Sequence, residues 1–330
     1  MALVFQKAKR IQTKIKLAVG GPSGSGKTMS SLLLGFGLIK GEHPDWDDAQ
    51  CWDKICVCDT ENGSSALYVG ARAGGVVIGS YNTIPIEPPF EEQVLIDAIA
   101  MCENHGMEVI ILDSMTAFWQ GEGGALQTQG KIAERTGNSW TSWKSVRGDQ
   151  TRMMQAILQS KCHIISAYRA KTEYVQEKND KGKTVVRNIG MGIIAEGNTE
   201  YEYSCFLMLD ASHNAAAIKD RTGLFDNQIF VITPDTGKRI YQWLSEGEVP
   251  PATPPLNMKK TEPPTEEQID MERVKKAIAA VDPLVKAAAA EDRDGTIARI
   301  KEIIGEANYA KCTDINKLTA LYKAFSQPQG

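Results

Sequence analysis

Eight consecutive residues, Gly21-Pro22-Ser23-Gly24-Ser25-Gly26-Lys27-Thr28, have the types and spacing to hold a polyphosphate. Glycines and small serines let the backbone curl into a nest whose N–H groups converge on an anion. An apolar run at 15–19 leads into this loop and a helix-like run at 29–39 leaves it. A helix N-terminus therefore adds partial positive charge at the same spot. Lys27 is placed to reach β- and γ-phosphates, and the Thr28 hydroxyl to ligate Mg²⁺. The expected phosphate contacts are Gly21, Ser23, Gly24, Ser25, Gly26, Lys27, Thr28 and Met29. A strand, G-x-x-x-x-G-K-T and a helix in this order make a P-loop, so ATP with Mg²⁺ is the expected ligand.

A phosphate loop binds; hydrolysis asks for two more groups. The first is a carboxylate at the end of a buried strand, to hold the metal and its waters. Val109-Ile110-Ile111-Leu112-Asp113 supplies it, which makes Asp113, with Thr28, the expected metal pair. The second is a group that polarises the attacking water. Ser114, not an acid, follows Asp113, but a different strand ends in Cys58-Asp59-Thr60-Glu61. Strand ends are where parallel α/β sheets place ligand-facing groups, so Glu61 is the expected base.

These groups need a scaffold, and strand-like and helix-like segments alternate from about 15 to 209, which predicts an α/β fold with a mainly parallel sheet. Strands are expected at 15–19, 54–58, 76–80, 109–112 and 163–167, with an antiparallel extension at 203–209 and 215–219. Helices are expected at 90–104 and 144–160. The stretch 120–139, rich in Gly, Thr, Gln and Asn, carries no clear assignment, and 171–187 reads as a polar β-hairpin turning at Asn179-Asp180-Lys181-Gly182. Six prolines between 250 and 264 mark a linker. The domains expected are a core at 1–245, a Pro-rich linker at 246–266 and a small α-helical region at 267–330 with two or three helices.

Composition bounds the rest. With 330 residues, 42% hydrophobic and 24% charged, the chain reads as an ordinary globular protein. No run of about 18 apolar residues exists, so no membrane association is expected. No apolar segment follows the basic start, so no leader is expected and a cytoplasmic location is. Seven scattered cysteines match no zinc spacing, and Cys56 and Cys58 are expected to share a core face as reduced thiols. A net charge of −4 confines any nucleic-acid contact to a local basic surface. Lys7, Lys9, Arg10, Lys14 and Lys16 read as a solvated strand edge.

Asp113-Ser114-Met115-Thr116-Ala117-Phe118 after an apolar strand resembles the second Walker segment of RecA-like recombinases, and Asp59-Thr60-Glu61 resembles the place where that family carries its catalytic glutamate. Lys171-Thr172-Glu173-Tyr174 and the segment 219–225 narrow the likeness to phage-encoded RecA-like ATPases, whose relatives include single-strand annealing and exchange proteins. The resemblance covers about residues 10–235. It implies a RecA-like P-loop NTPase core, an adenine-stacking role for Tyr68, and a reach of Lys219 and Arg221 into a neighbouring subunit's ATP site. That family places a phosphate-sensing glutamine where Tyr168-Arg169 stand here, so the sensor falls to one of these two.

The same resemblance puts DNA-binding loops at 120–143 and 171–187. Lys131, Arg135, Lys171, Lys178, Lys181, Lys183 and Arg187 are the candidate contacts, with Trp140, Trp143 and Tyr174 among them. Cations beside aromatics suit single-stranded DNA, through phosphate neutralisation and base stacking. The expected function is a self-assembling, DNA-stimulated ATPase that promotes annealing or strand exchange in phage recombination, acting in the host cytoplasm. A ring-forming, helicase-like motor is one alternative. Another is a nucleotide switch that engages a protein partner through its C-terminal helices; those helices could equally meet a single-stranded-DNA-binding protein.

Overall fold

Strands buried on both faces are what a parallel sheet covered by helices on each side demands, and this chain supplies them. The computed structural model describes residue 5 and residues 7–178, 184–248 and 266–326. The chain opens with β1 (Lys16–Gly21), α1 (Lys27–Glu42), α2 (Asp48–Asp53) and β2 (Ile55–Asp59). There follow β3 (Arg72–Ala73), β4 (Val76–Val77), β5 (Asn82–Pro85), α3 (Glu92–Asn104) and β6 (Val109–Asp113). Three helices come next, α4 (Thr116–Gln120), α5 (Ala125–Thr136) and α6 (Ser139–Gln159), then the long hairpin β7 (His163–Lys178) and β8 (Thr184–Ile193). β9 (Cys205–Leu209), β10 (Asn214–Asp220), β11 (Ile229–Val231) and α7 (Pro234–Ser245) complete the first unit.

The sheet has nine strands in the order β11-β10-β9-β1-β7-β6-β2-β5, with β8 paired to β7. From β9 to β5 all neighbours are parallel. β10 runs antiparallel to β9 and β11 antiparallel to β10, the expected extension. Successive side chains go to opposite faces. Leu17, Val19, Ile55, Val57, Val109 and Ile111 pack with α1 and α7 on one side. Ala18, Cys56, Cys58, Ile110 and Leu112 pack with α3 and α6 on the other. Cys56 and Cys58 therefore share a core face, and all seven cysteines are buried and outside any disulfide.

Helices α1 and α7 cross so closely that only glycine fits at Gly37, where a Cβ would lie 1.9 Å from the Pro234 carbonyl oxygen. Alanine normally gains about 1 kcal/mol over glycine inside a helix. Here the overlap is with backbone, which cannot swing aside. Gly37→Ala is accordingly expected to destabilise by about 1–3 kcal/mol, lowering the melting temperature by several degrees in a thermal scan; an unchanged or raised value would refute the close crossing.

Three expectations need correction. The segment 76–80 gives no strand of the central sheet: β4 pairs with β3 in a separate two-stranded sheet. Ile78 instead exchanges hydrogen bonds with Gly70 and Ala71 and buries its side chain, while β5 takes the place beside β2. The unassigned 120–139 is largely helical, and the helix expected at 144–160 starts at Ser139, where the Asn138 side chain caps it by accepting from the N–H groups of Trp140 and Thr141. The N-terminal cations are a solvated edge only in part: Lys7, Lys9 and Arg10 are exposed. Lys9 pairs with Glu248, Arg10 with Glu246 and Lys14 with Glu42. Lys16 is buried, donates to the Ser160 and Cys162 carbonyls, and is pushed down to about 8 by that burial.

The chain divides into two compact units, Met1–Pro251 and Ala252–Gly330. The second holds α8 (Glu266–Glu291), α9 (Arg293–Ile304) and α10 (Ile315–Ser326) around Val281, Val285, Ile300, Ile304, Leu318 and Leu321. Apart from 246–248 and 266, the expected linker lies outside the described residues. Among the described residues no helix is long and apolar enough to cross a membrane.

Candidate nucleotide site

β1 and β6 end at the same edge of the sheet with β7 between them, which sets Gly21 and Asp113 about 10 Å apart. The first turn of α1 closes that gap: Thr28 Oγ1 donates to Asp113 Oδ2 at 2.5 Å. Around this pair opens a cavity of about 730 Å³. Of the expected residues, Ser23, Gly24, Gly26, Lys27, Thr28, Met29, Glu61, Tyr68 and Asp113 line it. Gly21 and Ser25 do not. Ser25 is fully buried, its hydroxyl without a hydrogen-bond partner among the described residues.

Gly24 and Gly26 adopt φ of 77° and 84°, the left-handed backbone that forms a nest. A Cβ at Gly24 would meet nothing within 4 Å, so the nest opens onto space that a phosphate can fill. Lys27 Nζ folds onto the loop, donating to the carbonyls of Gly21 at 3.1 Å and Pro22 at 2.9 Å. Burial lowers its pKa, opposed by the nearby Asp113 and Glu61 carboxylates.

The Asp59-Thr60-Glu61 run is stitched to the end of β6. Asp59 accepts from the Glu61 and Ser65 N–H groups, turning the chain at the strand end. The Thr60 hydroxyl accepts from Ser114 N–H at 2.9 Å, and Thr60 N–H donates to Asp113 O at 2.8 Å. Glu61 is thereby aimed at the cavity, where Oε1 accepts from Ser114 Oγ at 3.3 Å and from Arg169 Nη2 at 2.8 Å.

Arg169 extends from β7, opposite Gly21 in the parallel register, and lines the cavity. Tyr168 does not: it is buried, with its hydroxyl 2.7 Å from that of Tyr203. Of the two candidate sensors only Arg169 faces the site. An apolar end of the cavity is built by Leu33, Ala73, Gly74 and Ile232 with Tyr68. Apart from Tyr68, these residues, with His213, Val231 and Thr233, are ones that local sequence gave no reason to select.

Lys219 and Arg221 are not brought to this cavity. β10 runs antiparallel, so Asp220 pairs with Cys205 at the start of β9, toward the opposite edge of the sheet. Lys219 Nζ donates to the Tyr201 carbonyl and lies over that ring. Of the other candidate contacts, Lys131, Arg135 and Lys171 are exposed, and Trp140 is 85% exposed while Trp143 stacks on Trp119. Lys178 and Arg187 lie on the paired strands β7 and β8; Lys181 and Lys183 fall outside the described residues.

The hydroxyl and carboxylate oxygens of Thr28 and Asp113, with Glu61 close by, are the hard donors a Mg²⁺ ion takes. Such an ion would neutralise charge on the phosphate oxygens. Without one, burial pushes the Asp113 carboxyl up to about 6, the Glu61 and Asp59 charges adding to the effect. A folded value above the ordinary 3.8 means that the folded chain holds this proton more tightly. The stability it contributes is present below about 4 and is lost as pH rises through about 6. Asp113→Asn is therefore expected to stabilise the metal-free protein at pH 7.5, by up to about 3 kcal/mol, and to do so far less at pH 4. Thermal scans in chelator at both pH values test this; an equal effect at both would refute it.

In sequence, the AAA domain family model (AAA_24) matches residues 13–237. Among solved structures, the fold is similar to that of a KaiC-like protein from the hyperthermophilic archaeon Pyrococcus horikoshii OT3, at 13% identity and a TM-score of 0.36, over 67% of this chain and 87% of that one. No curated protein matches the chain in sequence.

Proposed function

The chain belongs to the AAA domain family of P-loop ATPases, and from that membership and the geometry of the cavity we propose that it hydrolyses ATP with Mg²⁺ and couples turnover to single-stranded DNA. The P-loop and Lys27 bind the phosphates, Thr28 and Asp113 hold the metal, Tyr68 packs on the base, and Glu61 orients the attacking water. The wider role is annealing or strand exchange in phage recombination, by copies assembled so that Lys219 and Arg221 of one serve the cavity of the next.

The observation that carries the coupling is the continuity of β7. The strand that holds Arg169 in the cavity, gripping Glu61, runs straight on into the β7–β8 hairpin with Lys171. A phosphate that draws Arg169 toward itself pulls on the base of that hairpin, so nucleotide state and hairpin position share one element.

The test is ATP turnover alone and with single-stranded DNA, double-stranded DNA or RNA, at about 50 and 200 mM salt. Single-stranded DNA should raise turnover at low salt and less so at high salt. No stimulation, together with no retention of DNA at low salt, would overturn the DNA part of the proposal and leave the ATPase part standing.

A further inference from the structure

The turn between β9 and β10 stands over the phosphate loop. Asp210 shapes it: one carboxylate oxygen accepts from the N–H groups of Ser212 at 2.8 Å and Asn214 at 2.9 Å, and the other from Asn214 Nδ2 at 3.0 Å. His213 is thereby held at φ 67°, a left-handed backbone uncommon outside glycine. From there its ring reaches the P-loop, with Nδ1 3.0 Å from the Ser25 carbonyl oxygen. The ring also presses on Gly26, where a Cβ would come 3.1 Å from the same nitrogen.

A carbonyl oxygen can only accept, so Nδ1 carries the proton and donates it. A trans peptide points its C=O and the following N–H in opposite directions. Fixing Ser25 O on the imidazole therefore fixes Gly26 N–H facing away from it. Gly26 lines the cavity, and among the described residues its N–H donates to no group, which leaves it free for a ligand. We propose that His213 is a positioning residue for the phosphate loop: its Nδ1–H clamps the Ser25–Gly26 peptide so that Gly26 N–H is preset for a phosphate oxygen of a nucleoside triphosphate. The proposal rests on the nucleotide reading of the cavity and adds to it the device that keeps the nest formed before ligand arrives. It also gives Gly26 a second reason to lack a side chain, beyond its φ of 84°.

Two substitutions separate the donor from the backbone it sits on. Asn accepts a left-handed φ better than most residues and offers an amide N–H in place of Nδ1–H. Gly accepts that φ freely and offers no donor. A fluorescent ATP analogue with Mg²⁺ is titrated against the unaltered full chain, His213→Asn and His213→Gly. His213→Gly is expected to bind about five- to tenfold more weakly, the worth of one preset hydrogen bond. His213→Asn is expected to bind within about twofold of the unaltered protein. In nucleotide-free protein, amide exchange over residues 24–28 should be faster in His213→Gly alone.

Equal binding by His213→Gly and the unaltered protein overturns the inference, as does equal weakening by both substitutions. Should His213→Gly not fold, His213→Asp, which keeps the left-handed turn but replaces donor by acceptor, is read by the same nucleotide-free exchange, where phosphate repulsion plays no part; exchange as slow as in the unaltered protein overturns the inference. No binding by the unaltered protein would overturn the nucleotide reading itself, and this inference with it.

Discussion

Glu61→Gln is expected to bind ATP as the unaltered protein does and to turn it over at least about a hundredfold more slowly, within the range that a positioned general base contributes. Binding should survive because the hydrogen bonds of Lys27 run to the Gly21 and Pro22 carbonyls and not to this side chain, and Asp113 remains beside the ammonium. Glu61 is held from its own strand, through Asp59 and Thr60, and from the far side by Ser114 and Arg169. Glutamine keeps the size and can still accept from Arg169, but it has no basic oxygen with which to polarise a water. The ion pair with Arg169 does not disable the base. Its side chains are 51% and 29% exposed, and a pair so open to solvent is worth about 0–1 kcal/mol, little beside the pull of a triphosphate on the same guanidinium. Fluorescent-nucleotide titration and phosphate release measured on one preparation decide the matter. A loss of turnover below about threefold would remove Glu61 from the base role, since a positioned base contributes far more.

Legibility in the sequence followed locality. The P-loop could be read because all its parts lie in one run, Gly21 to Thr28, flanked by its own strand and helix. Asp113 and Glu61 were visible as acids closing apolar strands, and the sheet aligns those strand ends directly, pairing Asp59 with Asp113. What stayed hidden depends on register between distant segments. Arg169 and Tyr168 are neighbours with opposite fates because alternation sends one to the cavity and the other to the core. Tyr168 shares the parity of the buried Ile164, but with both faces of β7 covered, parity alone could not say which neighbour meets ligand. His213 comes from a turn about 190 residues after the loop it touches, and nothing in Ser212-His213-Asn214 announces that contact. The helices at 125–136 and from 139 were masked by a composition of Gly, Thr and Gln whose apolar positions are sparse. At 76–80 the expected strand is only two residues long and lies outside the central sheet: Val76 and Val77 pair with β3, and Ile78 is apolar because it fills the core.

Lys27→Ala is expected to abolish turnover, by at least about a thousandfold, because the ammonium acts both on the empty loop and on the charged transition state. In the nucleotide-free loop it braces the Gly21 and Pro22 carbonyls, and without it the nest must be ordered on binding. A bound nucleotide would meet this ammonium beside the Glu61 and Asp113 carboxylates, which line the same cavity. Losing a charge-assisted contact costs about 1.5–3 kcal/mol in affinity, or about ten- to a hundredfold, and the deficit grows as negative charge moves onto the leaving phosphate. Lys27→Arg should rescue little: the side chain is only 9% exposed, and a planar guanidinium cannot take the place of a compact ammonium in so closed a pocket. The melting temperature of nucleotide-free Lys27→Ala separates loss of chemistry from loss of fold. A folded variant that kept more than about a tenth of the turnover would take the loop out of the reaction, since phosphoryl transfer depends on charge held there.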